Sequence, residues 1–243
     1  MAGGDHVDNK YYEAVPPGSL GERLTIAARG RIYDDFIRWC RPAPDDAILD
    51  VGVSDVVNDA ANLLERMYPH PGRITALGLG EGADFRAAFP AVTYRQIAVN
   101  HSLPFADKSF AIATSNAVLE HVGSRAGQAR FVAELMRVAR RVFITVPHRF
   151  FPVEHHTAIP LAHYFDRTFA LACRALGKTE WADEANLILM SKRRLRALAP
   201  VAAVVAHTGL RLGPCSSNLL LFMDQGAEGV QGVQGVQVGA TGR

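Results

Sequence analysis

The sequence predicts an α/β fold: a doubly wound, mostly parallel sheet completed by a C-terminal antiparallel strand. Three observations lead there. Short apolar runs suited to strands alternate with helix-like segments between residues 47 and 147. That alternation implies parallel strands joined by right-handed helical crossovers. The rhythm stops at Pro147, and two apolar runs near the C-terminus, 201–212 and 217–223, read as edge strands that can pair antiparallel.

Each element has its own signal. Ser19 followed by Glu22 is a capping-box pattern, directly after Pro16, Pro17 and Gly18. A helix is therefore expected from Leu20 towards Trp39, ending before Pro42. "AILDVG" (47–52) is the first strand and 56–68 the helix after it. "RITALGL" (73–79) is the second strand, with a short helix at 82–88. "VTYRQIAV" (92–99) and "FAIATSN" (110–116) are strands, 125–140 is a helix, and "RVFITVP" (141–147) is the fifth strand. Pro147, Pro152 and Pro160 mark a long ordered loop over 148–160. A helix then runs through Leu176, and Ser191 caps another, "KRRLRALA". From Asp224 the chain passes into Gly-Val-Gln repeats with too little apolar surface to pack, which predicts a disordered tail over 224–243. Residues 1–18 read as an N-terminal arm and 19–223 as the domain.

Composition excludes several classes of partner. Lys plus Arg number 26 against 24 for Asp plus Glu, a formal net charge of +2. That balance gives no electrostatic reason to expect nucleic acid or a membrane surface. Cys40, Cys173 and Cys215 are odd in number and far apart, matching neither a zinc spacing nor a disulfide framework. A reducing, cytoplasmic setting is expected. The polar N-terminus lacks an apolar signal core, and no apolar run reaches the length of a membrane span.

The stretch "ILDVGVSDVVNDAANLLER" (48–66) begins like a nucleotide-binding turn: a strand holding Asp50, then Gly52. Val53, Ser54, Asp55 and Val56 stand where further glycines are expected. Ser54 and Asp55 can line a cofactor loop or cap the following helix, and a plain tight connection is the alternative reading. "LPFADKSFAIATSNAVLEHV" (103–122), "ELMRVARRVFITVP" (134–147) and "FPVEHHTAIPLAHYF" (151–165) follow in order. Together they resemble class I S-adenosylmethionine-dependent methyltransferases, with a likeness traceable from Ser19 to Met223.

The resemblance implies a Rossmann-like sheet, S-adenosylmethionine as methyl donor, and a small-molecule acceptor, with oxygen the expected acceptor atom. It matches Asp50 and Gly52 to the family's acid and first glycine. Gly78 stands where the family has its ribose-binding acid, and Glu81 nearby is either its substitute or a solvated carboxylate. Val99 replaces the acid near the adenine amine, leaving Asn100 to offer its side-chain carbonyl. Asn116 completes the expected cofactor-binding set, while Ala111 replaces a usual aspartate. A divergent branch of the family has a similar D-V-G-V loop, so a rearranged site stands beside an inactive one as an open reading.

The candidate catalytic residues are His121, Glu154 and His156. His121 follows the fourth strand and suits a general base; its alternative is a histidine that shapes the turn. Glu154 with His155 and His156 can form a carboxylate–imidazole pair at an acceptor pocket. With His148 and His163 they can instead form a hydrogen-bonded structural loop. Their spacing fits no standard zinc pattern, so no metal is expected. Phe150 and Phe151 either line the pocket or pack, and Lys192 to Arg196 reads as a solvated helix face. Two rivals remain. One is a protein of the same fold that binds, regulates or rearranges without methyl transfer. The other, an NAD-dependent oxidoreductase, is disfavoured because the loop lacks G-x-G-x-x-G.

Overall fold

The computed structural model describes residues 18–55, 61–98, 102–200 and 202–226. The expected N-terminal arm up to residue 17, the tail from 227, residues 56–60 and the candidate ligand Asn100 lie outside the described residues. Helix α1 (Leu20–Cys40) is capped as expected: Ser19 Oγ accepts from Glu22 N at 3.2 Å. The reciprocal bond comes one residue early, from Gly18 N to Glu22 Oε2 at 2.5 Å.

The strands are β1 (Ile48–Val51), β2 (Ile74–Gly78), β3 (Thr93–Gln96), β4 (Phe110–Asn116), β5 (Ala139–Pro147), β6 (Val204–Leu212) and β7 (Cys215–Asp224). They form one sheet in the order β3-β2-β1-β4-β5-β7-β6. Strands β1 to β5 run parallel, and β7 lies antiparallel between β5 and β6. The helices are α2 (Leu63–Met67), α3 (Ala83–Ala88), α4 (Arg125–Val138), α5 (Asp166–Ala175) and α6 (Lys192–Arg196). Among the described residues no helix is long and apolar enough to cross a membrane.

Alternate side chains fill two cores, one on each face of the sheet. Leu49, Val142, Ile144, Leu219 and Leu221 face one core, with Leu135 and Val138 of α4. Ile48, Phe143 and Leu220 face the other, with Ile32 and Phe36 of α1. Because both faces are covered, the strands read as continuous apolar runs. Each fully buried Leu or Ile contributes about 1.5–3 kcal/mol.

This packing corrects the expectation that both C-terminal strands lie at an edge. Only β6 does; β7 is hydrogen-bonded on both sides, and Leu219, Leu220 and Leu221 are fully buried. The fold also extends past the expected start of the tail. Asp224 closes β7, Gln225 N donates to Arg140 O, and its Nε2 donates to Met136 O and Ala139 O.

The helix expected over 56–68 is described only as Leu63–Met67. Asn62, left-handed at φ 52°, closes the connection: its Oδ1 accepts from Ser54 N at 3.0 Å and its Nδ2 donates to Ser54 O at 2.7 Å. The segment "LPFADKSF" is a clasp in front of β4. Glu134 accepts from Leu103 N, and Arg137 donates to the Leu103 and Phe105 carbonyls and to Asp107.

Candidate active site

Strand order reverses between β1 and β4, which makes their C-terminal ends the crevice where ligands bind in doubly wound sheets. A cavity of about 1180 Å³ opens there. Its walls include Gly52 and Ser54 after β1, Gly78 at the end of β2, Asn116 at the end of β4, and His121, Glu154 and His156. The volume exceeds the usual span for one small ligand, about 300–1,000 Å³, so a cofactor and an acceptor can share it.

On the β1–β2 side most polar groups are engaged by the protein itself. Gly52 N and Val53 N both donate to Leu77 O, at 2.8 and 3.0 Å. Gly52 has φ +97°, and a Cβ there would lie 2.2 Å from Val118 Cγ2. Its requirement for glycine thus comes from the backbone and from Val118, a reason the sequence did not reveal. The Asp55 carboxylate accepts from Gly82 N at 3.0 Å and Phe85 N at 3.2 Å, capping α3. At Gly78 a Cβ would lie 2.5 Å from the Tyr94 hydroxyl, which donates to Gly80 O. Tyr94 thus packs where the ribose acid was expected. Glu81 is exposed and does not line the cavity. Asp50 sits against Glu65 of α2; burial and the second carboxyl raise Asp50 well above the usual range, and burial raises Glu65 to about 7.

The opposite wall converges on one point. His121 Nδ1 lies 2.7 Å from Asn186 O, His156 Nδ1 lies 2.7 Å from Glu154 Oε1, and the two Nε2 atoms lie 3.1 Å apart. Both Nδ1 atoms face acceptors and so carry protons. A hydrogen bond between the Nε2 atoms then needs a further proton, which makes the pair cationic. Its environment places that charge on His156. Burial opposes the charge there, but Glu154 and then Glu120 outweigh it and raise His156. Burial and the charge on His156 push His121 down to about 3. Burial alone would raise Glu154, yet His156 and the donors of Thr157 hold it well below the usual range. Trp181 stacks on the His156 ring at 5.0 Å and 29°.

His121 in this state is a poor general base, since an effective base has a pKa near the working pH. The other loop histidines have different tasks. His163 Nε2 donates to Phe151 O at 2.7 Å, and His148 Nδ1 bonds to Ser216 O, so both brace backbone. His155 and Phe151 line the cavity, whereas Phe150 is largely exposed. Three contributors went unflagged in the sequence: Glu120, Trp181 and Asn186. For Glu120 the available signal was its place beside His121; the others come from a turn with no motif.

Residues 49–142 match the family model described as "Methyltransferase domain". No curated protein matches the chain. A S-adenosylmethionine-dependent methyltransferase of Methanosarcina mazei is 15% identical, with TM-score 0.50 over 78% of this chain and 95% of that one. Another from Thermotoga maritima is 12% identical, with TM-score 0.50 over 85% and 91%. A Rhodobacter sphaeroides protein provisionally named a Zn-dependent alcohol dehydrogenase is 11% identical, with TM-score 0.53 over 86% and 99%. At such identities the likeness concerns the fold alone. The central part of the chain thus matches a methyltransferase domain, on a fold that it shares with S-adenosylmethionine-dependent methyltransferases.

Proposed function

We propose that this protein transfers a methyl group from S-adenosylmethionine to an oxygen of a small-molecule acceptor, in the cytoplasm. The observation that carries the reading is the shared cavity: one wall is the Gly52 loop at the β1/β4 switch point, and the other is the His121–His156–Glu154 chain. The donor supplies an electrophilic methyl carbon on a sulfonium. It fits the crevice in place and volume, with Gly52 and Gly78 keeping the β1 and β2 ends open. Ser54 and Asn116 are the polar side chains nearest to hand for it; Asn116 Oδ1 is oriented by the Thr145 hydroxyl at 2.5 Å.

The histidine wall holds the acceptor. His156, charged and backed by Glu154, holds an acceptor oxygen that arrives already ionised, and His121 fixes the direction of its Nε2. That oxygen forms its bond to the methyl carbon as the carbon–sulfur bond of the sulfonium breaks, with no proton left to remove. Leu79, Ile97, Ala98 and Phe131 provide apolar walls that exclude water from the crevice. The three unpaired cysteines support a reducing compartment.

A second reading, a protein of this fold that binds ligands without methyl transfer, has one observation in its favour. The loop amides of Gly52 and Val53 and the Asp55 carboxylate are already engaged within the fold. Calorimetric titration with S-adenosylmethionine and its demethylated product separates the two. Binding of both in the micromolar range is the expected result. Failure of either to bind folded protein leaves the second reading standing. Once an acceptor is found, His156→Ala should lower kcat with little change in donor affinity.

A further inference from the structure

We propose that Glu120, His121 and His156 bind a divalent transition-metal ion of the zinc class, with a coordination position left open towards the cavity. One donor atom from each residue falls within 4.8 Å of the others. His121 Nε2 lies 3.1 Å from His156 Nε2 and 3.8 Å from Glu120 Oε1. Two ligands on a tetrahedral zinc, each about 2.0–2.1 Å from the ion, stand about 3.3 Å apart. The two distances from His121 lie within about half an ångström of that spacing, and the Glu120–His156 side of the triangle, at no more than 4.8 Å, has to close by up to about 1.5 Å.

Each histidine is also held as a ligand would be, once the proton shared by the two Nε2 atoms is released on binding. His156 offers its Nδ1 to the Glu154 carboxylate and His121 offers its Nδ1 to the Asn186 carbonyl. That arrangement fixes ring orientation and directs Nε2 at the metal in carboxylate–histidine and carbonyl–histidine metal sites. Trp181 stacked on His156 fixes the plane of the same ring.

The independent observation is Glu120. Its side chain is 1% exposed, and neither carboxylate oxygen accepts a hydrogen bond among the described residues. A buried carboxylate in that condition is costly; the charge on His156 offsets part of the cost, but no hydrogen bond among the described residues does. Glu154, equally buried, accepts bonds from His156 and from the amide and hydroxyl of Thr157. A divalent cation beside Glu120 supplies the missing partner.

Two imidazoles and one carboxylate suit zinc and its first-row neighbours, and three protein ligands leave room for a further one. His121 and His156 line the cavity, so that position faces the space assigned above to the acceptor. Its occupant would be water or an acceptor oxygen such as a hydroxyl or carboxylate. This last step rests on the proposed methyl transfer; the metal site itself does not.

The test uses the full chain stripped with a chelator and titrated with Zn²⁺ or Co²⁺ alone. Calorimetry and the visible absorption of Co²⁺ are the readouts, with no methyl donor present. Stoichiometric uptake and a tetrahedral Co²⁺ spectrum are expected. Glu120→Gln, which keeps size and shape, and His156→Ala should each weaken Zn²⁺ binding at least tenfold while the donor's affinity stays the same. Folded wild-type protein that takes up no metal, or a folded Glu120→Gln variant with unchanged affinity, overturns the proposal. Because metal uptake and donor binding are read separately, either can fail while the other stands.

Discussion

The two walls of the cavity handle polar groups in opposite ways. On the β1–β2 side most of the polar groups among the described residues are satisfied inside the protein. Asp55 caps α3, Asn62 closes the loop on Ser54, the Tyr94 hydroxyl takes Gly80 O, and two amides share Leu77 O. On the histidine side, side chains from separate segments aim at a common point and leave Glu120 without a hydrogen-bond partner among the described residues. A satisfied wall stabilises the fold and recognises ligands mainly by shape. An incompletely satisfied wall stores polar groups for chemistry. The comparison teaches that drift in the cofactor motif and retention of a site can coexist in one cavity.

The largest effect should come from the histidine wall. Glu154→Gln leaves His156 buried beside a neutral partner and weakens its hold on Thr157, so a loss of about 3–5 kcal/mol is expected. Thermal melts would read this as a fall of roughly ten degrees. The effect also has a pH signature. Glu154 is held below its ordinary value of 4.5, so its contribution is complete above that pH and is lost as the pH falls through the folded value. The gap in melting temperature between parent and variant should therefore narrow in acid. A gap that widens there would mean the carboxylate is not what holds the pair.

Next in size is Gly52→Val. Backbone strain at φ +97° costs about 1–3 kcal/mol, and the close approach to Val118 adds to it. Donor binding should be lost with it. Gly52→Ala combined with Val118→Ala relieves the contact but not the strain, so it should recover only part of the stability. Full recovery would assign the whole effect to Val118.

Asp55→Ala tests whether the β1 loop is a structural connection. Removal of the cap on α3 should cost about 0.5–2 kcal/mol of stability. Donor affinity should change by less than about tenfold, since the carboxylate already has its partners. A far larger loss of binding in a folded variant would place Asp55 on the cofactor after all.

What the sequence made legible was the part governed by local rules. Pro147 ends β5, Ser19 and Ser191 cap their helices, and the β1–β5 alternation gives the parallel sheet. It misjudged β7 because a strand covered on both faces and an apolar edge strand look alike until their neighbours are known. In the loop after β1, Asn62 closes a connection that periodicity alone extends as helix. The site was legible in its residue types but not in its pairings. His148, His156 and His163 are indistinguishable by type, yet only His156 reaches His121, across 35 positions of sequence. Glu120 was hidden because no local pattern announces a buried carboxylate without a hydrogen bond among the described residues.

The smallest effect expected is the most direct check on the β2 side. A relocated ribose acid at Glu81 would make the two walls alike, each with a carboxylate aimed into the cavity. The geometry argues otherwise. Glu81 is exposed, its backbone carbonyl accepts from Arg86 Nη1 at 2.7 Å, and the β2 end of the cavity is formed by Leu77, Gly78 and Leu79. Tyr94 packs against Gly78 and Gly82, where a Cβ at Gly82 would lie 2.2 Å from the ring. Bringing Glu81 inward would require that ring to move and the Tyr94–Gly80 bond to break. Glu81→Ala should therefore leave stability within about 0.5 kcal/mol of the parent, as for other surface positions. Donor affinity should stay within roughly twofold, whereas loss of a charge-assisted bond to ribose would weaken it by tenfold or more. A tenfold loss in calorimetric titration would show that binding rearranges the β2 wall, and the contrast between the two sides would then belong only to the ligand-free protein.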